Sequence, residues 1–292
     1  MVPLSEGGLI LLLLFVLVLL VIIFVIKYSG DKKIFYPTHT FRDAPLAEHK
    51  TFMVGDIHGR IFLNFINRPI ILYCHGSAGD INDTQPMIDI CQSQQINLLV
   101  FDYSGYGQSR GKPSLEGILD STINVFDWMK DYLKRHDSGN SEVIVWGVSM
   151  GGSPALSLAL QREVSAVIVS SSYLSFEDVL CDYVGGMAGH FVSRIYGDLC
   201  NKDMIQHVKV PIVILHSSED ELIQFRHGQQ LYQRINHNKK LFLEIKGPHA
   251  APQITTEQLG QVLEFCGLDG SKASFSHYSL QQISQGAMKS QI

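Results

Sequence analysis

Basic residues are in short supply: 23 Lys and Arg stand against 28 Asp and Glu, a formal net charge of −5. A nucleic-acid binder needs a basic face to meet phosphates, so the composition argues against that class. The five cysteines (Cys74, Cys91, Cys181, Cys200 and Cys266) include no C-x-x-C pair. That removes the usual spacing of a structural zinc site. Their odd number fits a reducing compartment better than a disulfide framework, so Cys181 and Cys200 are expected as free thiols. Internal repeats are absent. So are long polar stretches between the ends, which confines expected disorder to the termini.

One long apolar run is present. Leu9 to Ile26 is uninterrupted by a polar side chain, and its 18 residues at ~1.5 Å rise give ~27 Å, close to the hydrocarbon thickness of a bilayer. A cleaved signal peptide would carry basic residues before the run and small residues after it. Here Glu6 is the only ionisable side chain upstream, and the run leaves through Ile26-Lys27-Tyr28. The expectation is an uncleaved single-pass anchor. Lys27, Lys32 and Lys33 follow it, which by the positive-inside rule places the domain on the cytosolic side.

The rest reads as an anchor at 9–26, a linker at 27–50, one domain at 51–266 and a polar tail at 267–292. Within the domain, short β-branched runs alternate with helical patterns. Strands are expected at Pro69–Tyr73, Leu98–Tyr103, Glu142–Val148, Val164–Val169, Pro211–His216 and Lys240–Ile245. Helices are expected at Leu115–Lys134, Met150–Gln161 and Thr255–Cys266. Leu115, Ile118, Leu119, Thr122, Val125, Phe126, Met129 and Leu133 form one apolar stripe. Buried strands alternating with helices imply βαβ units and a mostly parallel sheet flanked by helices. Thr51–Val54 and Arg60–Ile66 read as a leading hairpin. The insert at 174–205 reads as a small cap over the C-terminal edge of the sheet.

Three groups in chain order carry the chemistry. Gly147-Val148-Ser149-Met150-Gly151 fits G-x-S-x-G between an expected strand and a helix of small residues, the setting of a nucleophile elbow. Asp220 stands at the end of the strand PIVILH, with Glu219 and Glu221 as competitors. His249 follows the last strand in a short Gly-Pro loop. Twelve histidines are present, so position has to select among them: His237 precedes that strand and His277 lies in the tail. Ser149 as nucleophile, His249 as base and Asp220 as its orienting acid make a triad in the order Ser, acid, His. The loop His75-Gly76-Ser77-Ala78-Gly79 follows an early strand. Its Ser77 amide, with that of Met150, is the expected oxyanion hole, and His75 is expected to hold the loop structurally. Tyr183, Met187, Phe191, Ile195 and Tyr196 of the cap are candidates to line an acyl-chain site.

Gly55-Asp56-Ile57-His58-Gly59-Arg60 looks like the opening block of a dinuclear metallophosphoesterase, but no further ligand block follows to fill two metal sites. A hairpin turn is the simpler reading.

With these residues in hand, the chain resembles the α/β-hydrolase-domain serine hydrolases, especially their membrane-tethered lysophospholipase-like and Bem-type members. The resembling stretches are LYCHGSAG (72–79), FDYSGYGQSRGKPSLEG (101–117), VFDWM (125–129), VWGVSMGG (145–152) and VPIVILHSSED (210–220). The resemblance implies an α/β-hydrolase fold and hydrolysis of lysophospholipids, monoacylglycerols or protein-bound palmitoyl thioesters, with no metal or organic cofactor. Ser77 replaces the group's usual Asn in the oxyanion loop, and Ala-Ala-Pro replaces Asn-Asp after His249. The alternative reading is a catalytically silent protein that binds with the same pocket.

Overall fold

A computed structural model describes residues 35–38, 47–136, 141–196 and 199–268; the side chains of Val184, Met187, Ala188, Val192, Ile195 and Tyr196 are outside the description. The apolar run at 9–26 and most of the tail at 267–292 lie outside the described residues. Among the described residues, no helix is long and apolar enough to cross a membrane.

The strands are β1 (Tyr36–Pro37), β2 (Lys50–Val54), β3 (Ile57–Phe62), β4 (Ile70–Cys74), β5 (Ala78–Gly79), β6 (Asn97–Phe101), β7 (Val143–Val148), β8 (Ala166–Ser170), β9 (Ile212–Ser217) and β10 (Lys240–Ile245). The helices are α1 (Gln85–Ser93), α2 (Leu115–Arg135), α3 (Gly152–Gln161), α4 (Phe176–Val184), α5 (Gly186–Tyr196), α6 (Asn201–Met204), α7 (Arg226–Arg234) and α8 (Thr256–Phe265). Eight strands form one sheet in the order β10-β9-β8-β7-β4-β6-β3-β2. From β10 to β6 every pairing is parallel, whereas β3 runs antiparallel to β6 and to β2.

Both faces of the parallel part are covered, which is why its strands read as unbroken apolar runs. Leu72, Leu99, Val145, Val167 and Ile214 face one side, packed with Ile118, Val125, Phe126, Met129 and Leu133 of α2 and with Leu156 of α3. Ile71, Leu98, Ile144, Trp146, Ile168 and Val213 face the other, packed with Met87, Ile88 and Cys91 of α1 and with Leu259, Val262 and Leu263 of α8. Each such fully buried side chain stabilises the fold by ~1.5–3 kcal/mol. The α2 helix starts where Ser114, in extended conformation, accepts from the Gly117 N–H. It carries Glu116 in its first turn and Lys134 and Arg135 in its last, signs that complement the helix dipole.

Three details differ from expectation. The leading hairpin turns on Gly55-Asp56 alone, since Val54 pairs with Ile57. His58, Gly59 and Arg60 therefore belong to β3. Gly59 serves packing rather than turning: a Cβ there would lie 2.2 Å from the Phe52 ring. The stretch 27–50, read as linker, is partly built into the domain, with Phe35 buried and β1 paired in parallel with β5. Two helices carry little sequence signal. One is α1, and the other is α7, whose polar sequence RHGQQLYQR buries only His227, Gly228 and Leu231.

The insert at 174–205 forms α4, α5 and α6. Asp182 of α4 pairs with Arg226 and, at 2.9 Å, with His227 Nε2 at the start of α7. Cys181 and Cys200 are free thiols.

Candidate active site

The end of β7 delivers Ser149. Its φ is +54°, a left-handed conformation that costs a non-glycine residue on the order of 1–3 kcal/mol and is usually retained where function needs it. Close packing enforces the turn. A Cβ on Gly147 would sit 2.2 Å from the Gly151 carbonyl oxygen, and one on Gly151 would sit 2.0 Å from the Cys74 carbonyl oxygen. Ser172 Oγ, from the loop after β8, donates to the Ser149 carbonyl at 2.8 Å. Asn201 Nδ2 in turn donates to Ser172 Oγ at 3.1 Å.

Ser149 Oγ lies 3.1 Å from His249 Nε2, and His249 Nδ1 lies 2.8 Å from Asp220 Oδ2. A carboxylate only accepts, so the His249 proton belongs on Nδ1, leaving Nε2 free to accept from the serine. Asp220 has a fully buried side chain. Its Oδ1 accepts from the N–H groups of Leu222 and Ile223 at 3.0 and 2.7 Å. These bonds, with the imidazole, hold the charge in place.

The flanking carboxylates hold the histidine loop. Glu219 accepts from the Gly247 N–H and Glu221 from the His249 N–H, both at 2.9 Å. Ser217 Oγ donates to the Gly247 carbonyl at 2.5 Å. Among the three adjacent acids, Asp220 meets the His249 ring, Glu221 its backbone N–H and Glu219 that of Gly247. His216 is fully buried, with Nε2 donating to the Ile223 carbonyl at 2.8 Å. Burial lowers its pKa from the ordinary value, which keeps a second cation away from the Asp220–His249 pair.

The loop after β4 lies beside the serine: a Cβ on Gly76 would meet Ser149 Cβ at 3.6 Å. His75 is buried and its Nδ1 donates to the Gly76 carbonyl at 2.8 Å. That carbonyl shares a peptide plane with the Ser77 N–H, and in a trans peptide the two point in opposite directions. Fixing one therefore aims the other. Desolvation lowers the His75 pKa, so the ring is neutral. Met150 occupies the 3₁₀ turn Ser149–Gly151 that leads into α3, where the first N–H groups have no intrahelical acceptor.

Tyr103 and Tyr106, both fully buried, come from the D-Y-S-G-Y-G-Q-S segment. Their hydroxyls donate to the His75 carbonyl at 2.9 Å and the Ser77 carbonyl at 3.0 Å. Burial raises the pKa of both phenols, so they stay donors. Asp102 ties this segment down, accepting from the Ile81 N–H at 2.9 Å and the Gln108 N–H at 3.2 Å. In the sequence this segment stands only among the resembling stretches, with no task of its own. Ser172 and Ser217 were missed as well. The signal for Ser172 was the serine run 170–172 closing a strand.

Asp56 and His58 do not converge on one point. Asp56 is exposed and 3.8 Å from Arg110, while His58 is buried with Nδ1 3.3 Å from Asp102. Of the cap candidates, Phe191 and Tyr183 are 47% and 56% exposed. The Tyr183 hydroxyl donates to the Leu222 carbonyl at 2.9 Å, which ties the cap to the loop carrying Asp220. The side chains of Met187, Ile195 and Tyr196 lie outside the description.

Comparison with known proteins agrees with this architecture. A profile described as alpha/beta hydrolase fold matches residues 69–184, which include the elbow. The uncharacterized protein YfhR of Salmonella typhimurium is 26% identical over 242 residues, 76% of this chain and 79% of YfhR. The lysophosphatidylserine lipase ABHD12 of Rattus norvegicus is 30% identical over 184 residues, 57% of this chain and 45% of the lipase. The chain thus spans under half of that lipase. Among solved structures, the Pyrococcus furiosus esterase Pf2001 superposes with a TM-score of 0.60 at 16% identity, covering 81% of this chain and 97% of the esterase. Sheet order, elbow and the matches of sequence and structure agree on one architecture: the chain has the α/β-hydrolase fold.

Proposed function

We propose that this chain is a membrane-anchored serine hydrolase that cleaves acyl esters or thioesters through an acyl-enzyme. The observation that carries the reading is the continuous array from Ser149 Oγ through His249 to Asp220, set on a strained elbow beside a braced loop. In the first half-reaction His249 Nε2 takes the Ser149 proton as Oγ attacks the acyl carbonyl carbon. The Ser77 and Met150 amides hold the resulting oxyanion. The carbon–oxygen or carbon–sulfur bond to the leaving group then breaks, and His249 returns the proton to that group. Water repeats the sequence on the acyl-serine, giving up a proton to His249, and Ser149 recovers it as the acid leaves. Asp220 keeps the imidazole oriented and stabilises its cationic form. These steps call on no metal or organic cofactor. Labelling by a fluorophosphonate separates this reading from a silent binding protein, because only an activated serine reacts. An unlabelled wild-type chain sinks it.

The proposed substrates are lipids, of the lysophospholipid, monoacylglycerol or palmitoyl-thioester kind. The relative named as a lysophosphatidylserine lipase, the exposed apolar cap residues Tyr183 and Phe191, and the exposed Leu222 of the Asp220 loop support this class. Burial of an acyl chain predicts that kcat/KM climbs with chain length, by up to ~0.8 kcal/mol per methylene until the site is full. Esters from acetyl to long-chain, assayed below their micellar limits, measure the profile. A flat or falling series points to a small soluble ester instead.

Residues 9–26 are proposed as the anchor and the catalytic domain as cytosolic, on the apolar run and the lysines that follow it. The full chain is expected to resist extraction by alkaline carbonate. Its release into the soluble fraction would contradict the anchor.

A further inference from the structure

The short strand β1 makes contacts that the catalytic reading leaves unexplained. Phe35 is buried in the main core and pins the segment. From there the Tyr36 N–H donates to the Ser77 carbonyl at 2.9 Å, and the Thr38 N–H to the Gly79 carbonyl at 3.4 Å. On its other side the Thr38 carbonyl accepts from the Gly107 N–H at 3.0 Å. The Thr38 hydroxyl donates to Asp80 Oδ2 at 2.6 Å. β1 is thus threaded between the oxyanion loop and the Tyr106–Gly107 turn, bonded to both.

The bond to Ser77 bears most directly on chemistry. The Ser77 carbonyl has two lone pairs, and they are taken by the Tyr36 N–H and the Tyr106 hydroxyl. This carbonyl belongs to the same residue as the amide assigned to the oxyanion, one peptide unit away. With both lone pairs engaged, the peptide after Ser77 cannot rotate, so the Ser77 backbone is held from both sides: by His75 through Gly76, and by β1 and Tyr106 through its own carbonyl. A terminal segment serving only to tie down the chain would need the burial of Phe35 but no bond to the residue that supplies the oxyanion donor.

Resting on the serine-hydrolase reading, we infer that Phe35–Thr38 is a positioning strand that sets the oxyanion hole from the segment leading out of the proposed anchor. Residues 27–34 are all that separate it from the apolar run. The attachment to the membrane and the aim of the Ser77 amide are therefore carried by one short piece of chain.

The test uses the full-length chain in detergent with two substitutions. Tyr36→Pro removes the N–H that reaches Ser77, and Thr38→Val removes the hydroxyl that reaches Asp80. Four quantities are read: kcat and KM on a p-nitrophenyl ester, affinity for a trifluoromethyl ketone whose hydrated adduct places an oxyanion in the hole, and Tm. A misaimed oxyanion donor costs less than a deleted one, so Tyr36→Pro is expected to lower kcat by about 10- to 100-fold. Loss of the charge-assisted bond to Asp80, which reaches the Ser77 backbone only through the strand, predicts about threefold for Thr38→Val. In both, KM should stay within about twofold and ketone affinity should fall by the same factor as kcat. A folded Tyr36→Pro with wild-type kcat and ketone affinity overturns the inference, as does a fall in kcat with ketone affinity unchanged. If Tyr36→Pro does not fold, Thr38→Val decides by the same criteria. A wild-type chain that neither hydrolyses esters nor reacts with a fluorophosphonate overturns the hydrolase reading, and this inference with it.

Discussion

Ser149→Ala is expected to abolish fluorophosphonate labelling and to lower kcat by roughly 10³-fold or more, with Tm close to wild type. The size follows from what is removed. Ser149 Oγ is the atom that forms the acyl bond in the proposed mechanism, and the nearby Ser172 Oγ is turned instead to the Ser149 carbonyl. Residual rate would come from substrate binding and the oxyanion donors alone. Stability should survive because the elbow is held by backbone packing around Gly147 and Gly151 and by the Ser172 bond to a main-chain oxygen. None of these uses the Ser149 side chain. Alanine at φ +54° pays much the same strain as serine. Turnover within a few-fold of wild type in the purified variant would remove Ser149 from the mechanism.

Asp220→Asn should reduce kcat by up to ~10⁴. An asparagine offers an N–H where the carboxylate offers only acceptors, so it favours the His249 tautomer with its proton on Nε2. That tautomer cannot take a proton from Ser149. The substitution also removes the negative charge that stabilises the imidazolium formed on attack. The two neighbours supply the control. Glu219→Gln and Glu221→Gln each keep an oxygen able to accept from the Gly247 and His249 amides, so their effect should be about tenfold or less. Steady-state kinetics on the three variants decides. Should either glutamine substitution match Asp220→Asn in damage, the acid has been assigned to the wrong carboxylate.

The parallel sheet was legible because both of its faces are buried: unbroken apolar stretches such as PIILY and EVIVWGV have few other uses at that length. The start of α2 at Leu115 came through on its apolar stripe, with Ser114 supplying a cap, and β10 came through at Lys240–Ile245 although it is an edge strand only partly buried. The elbow was legible because its requirements are local: a strand, two close-packed glycines around a serine, and a helix of small residues. The order of Ser149, Asp220 and His249 along the chain reflects strand ends that a parallel topology must bring to one edge. The hairpin turn was misplaced because Gly55 and Gly59 look alike in sequence. Only the Phe52 ring lying over Gly59 tells a packing glycine from a turning one.

What the sequence by itself determined is the set of elements and the candidates at their ends, because both depend on neighbours within a few residues. Strand-end position already favoured Asp220 as the acid; tertiary structure adds the contact itself, His249 Nδ1 against Asp220 and not against Glu219 or Glu221. It also assigned Tyr103 and Tyr106 to the carbonyls of the oxyanion loop, Ser172 to the elbow and β1 to Ser77. Each of these bonds joins segments more than twenty residues apart. A hydroxyl or a backbone N–H in a short strand leaves no periodic trace, so its partner exists only once the sheet has brought the two segments together.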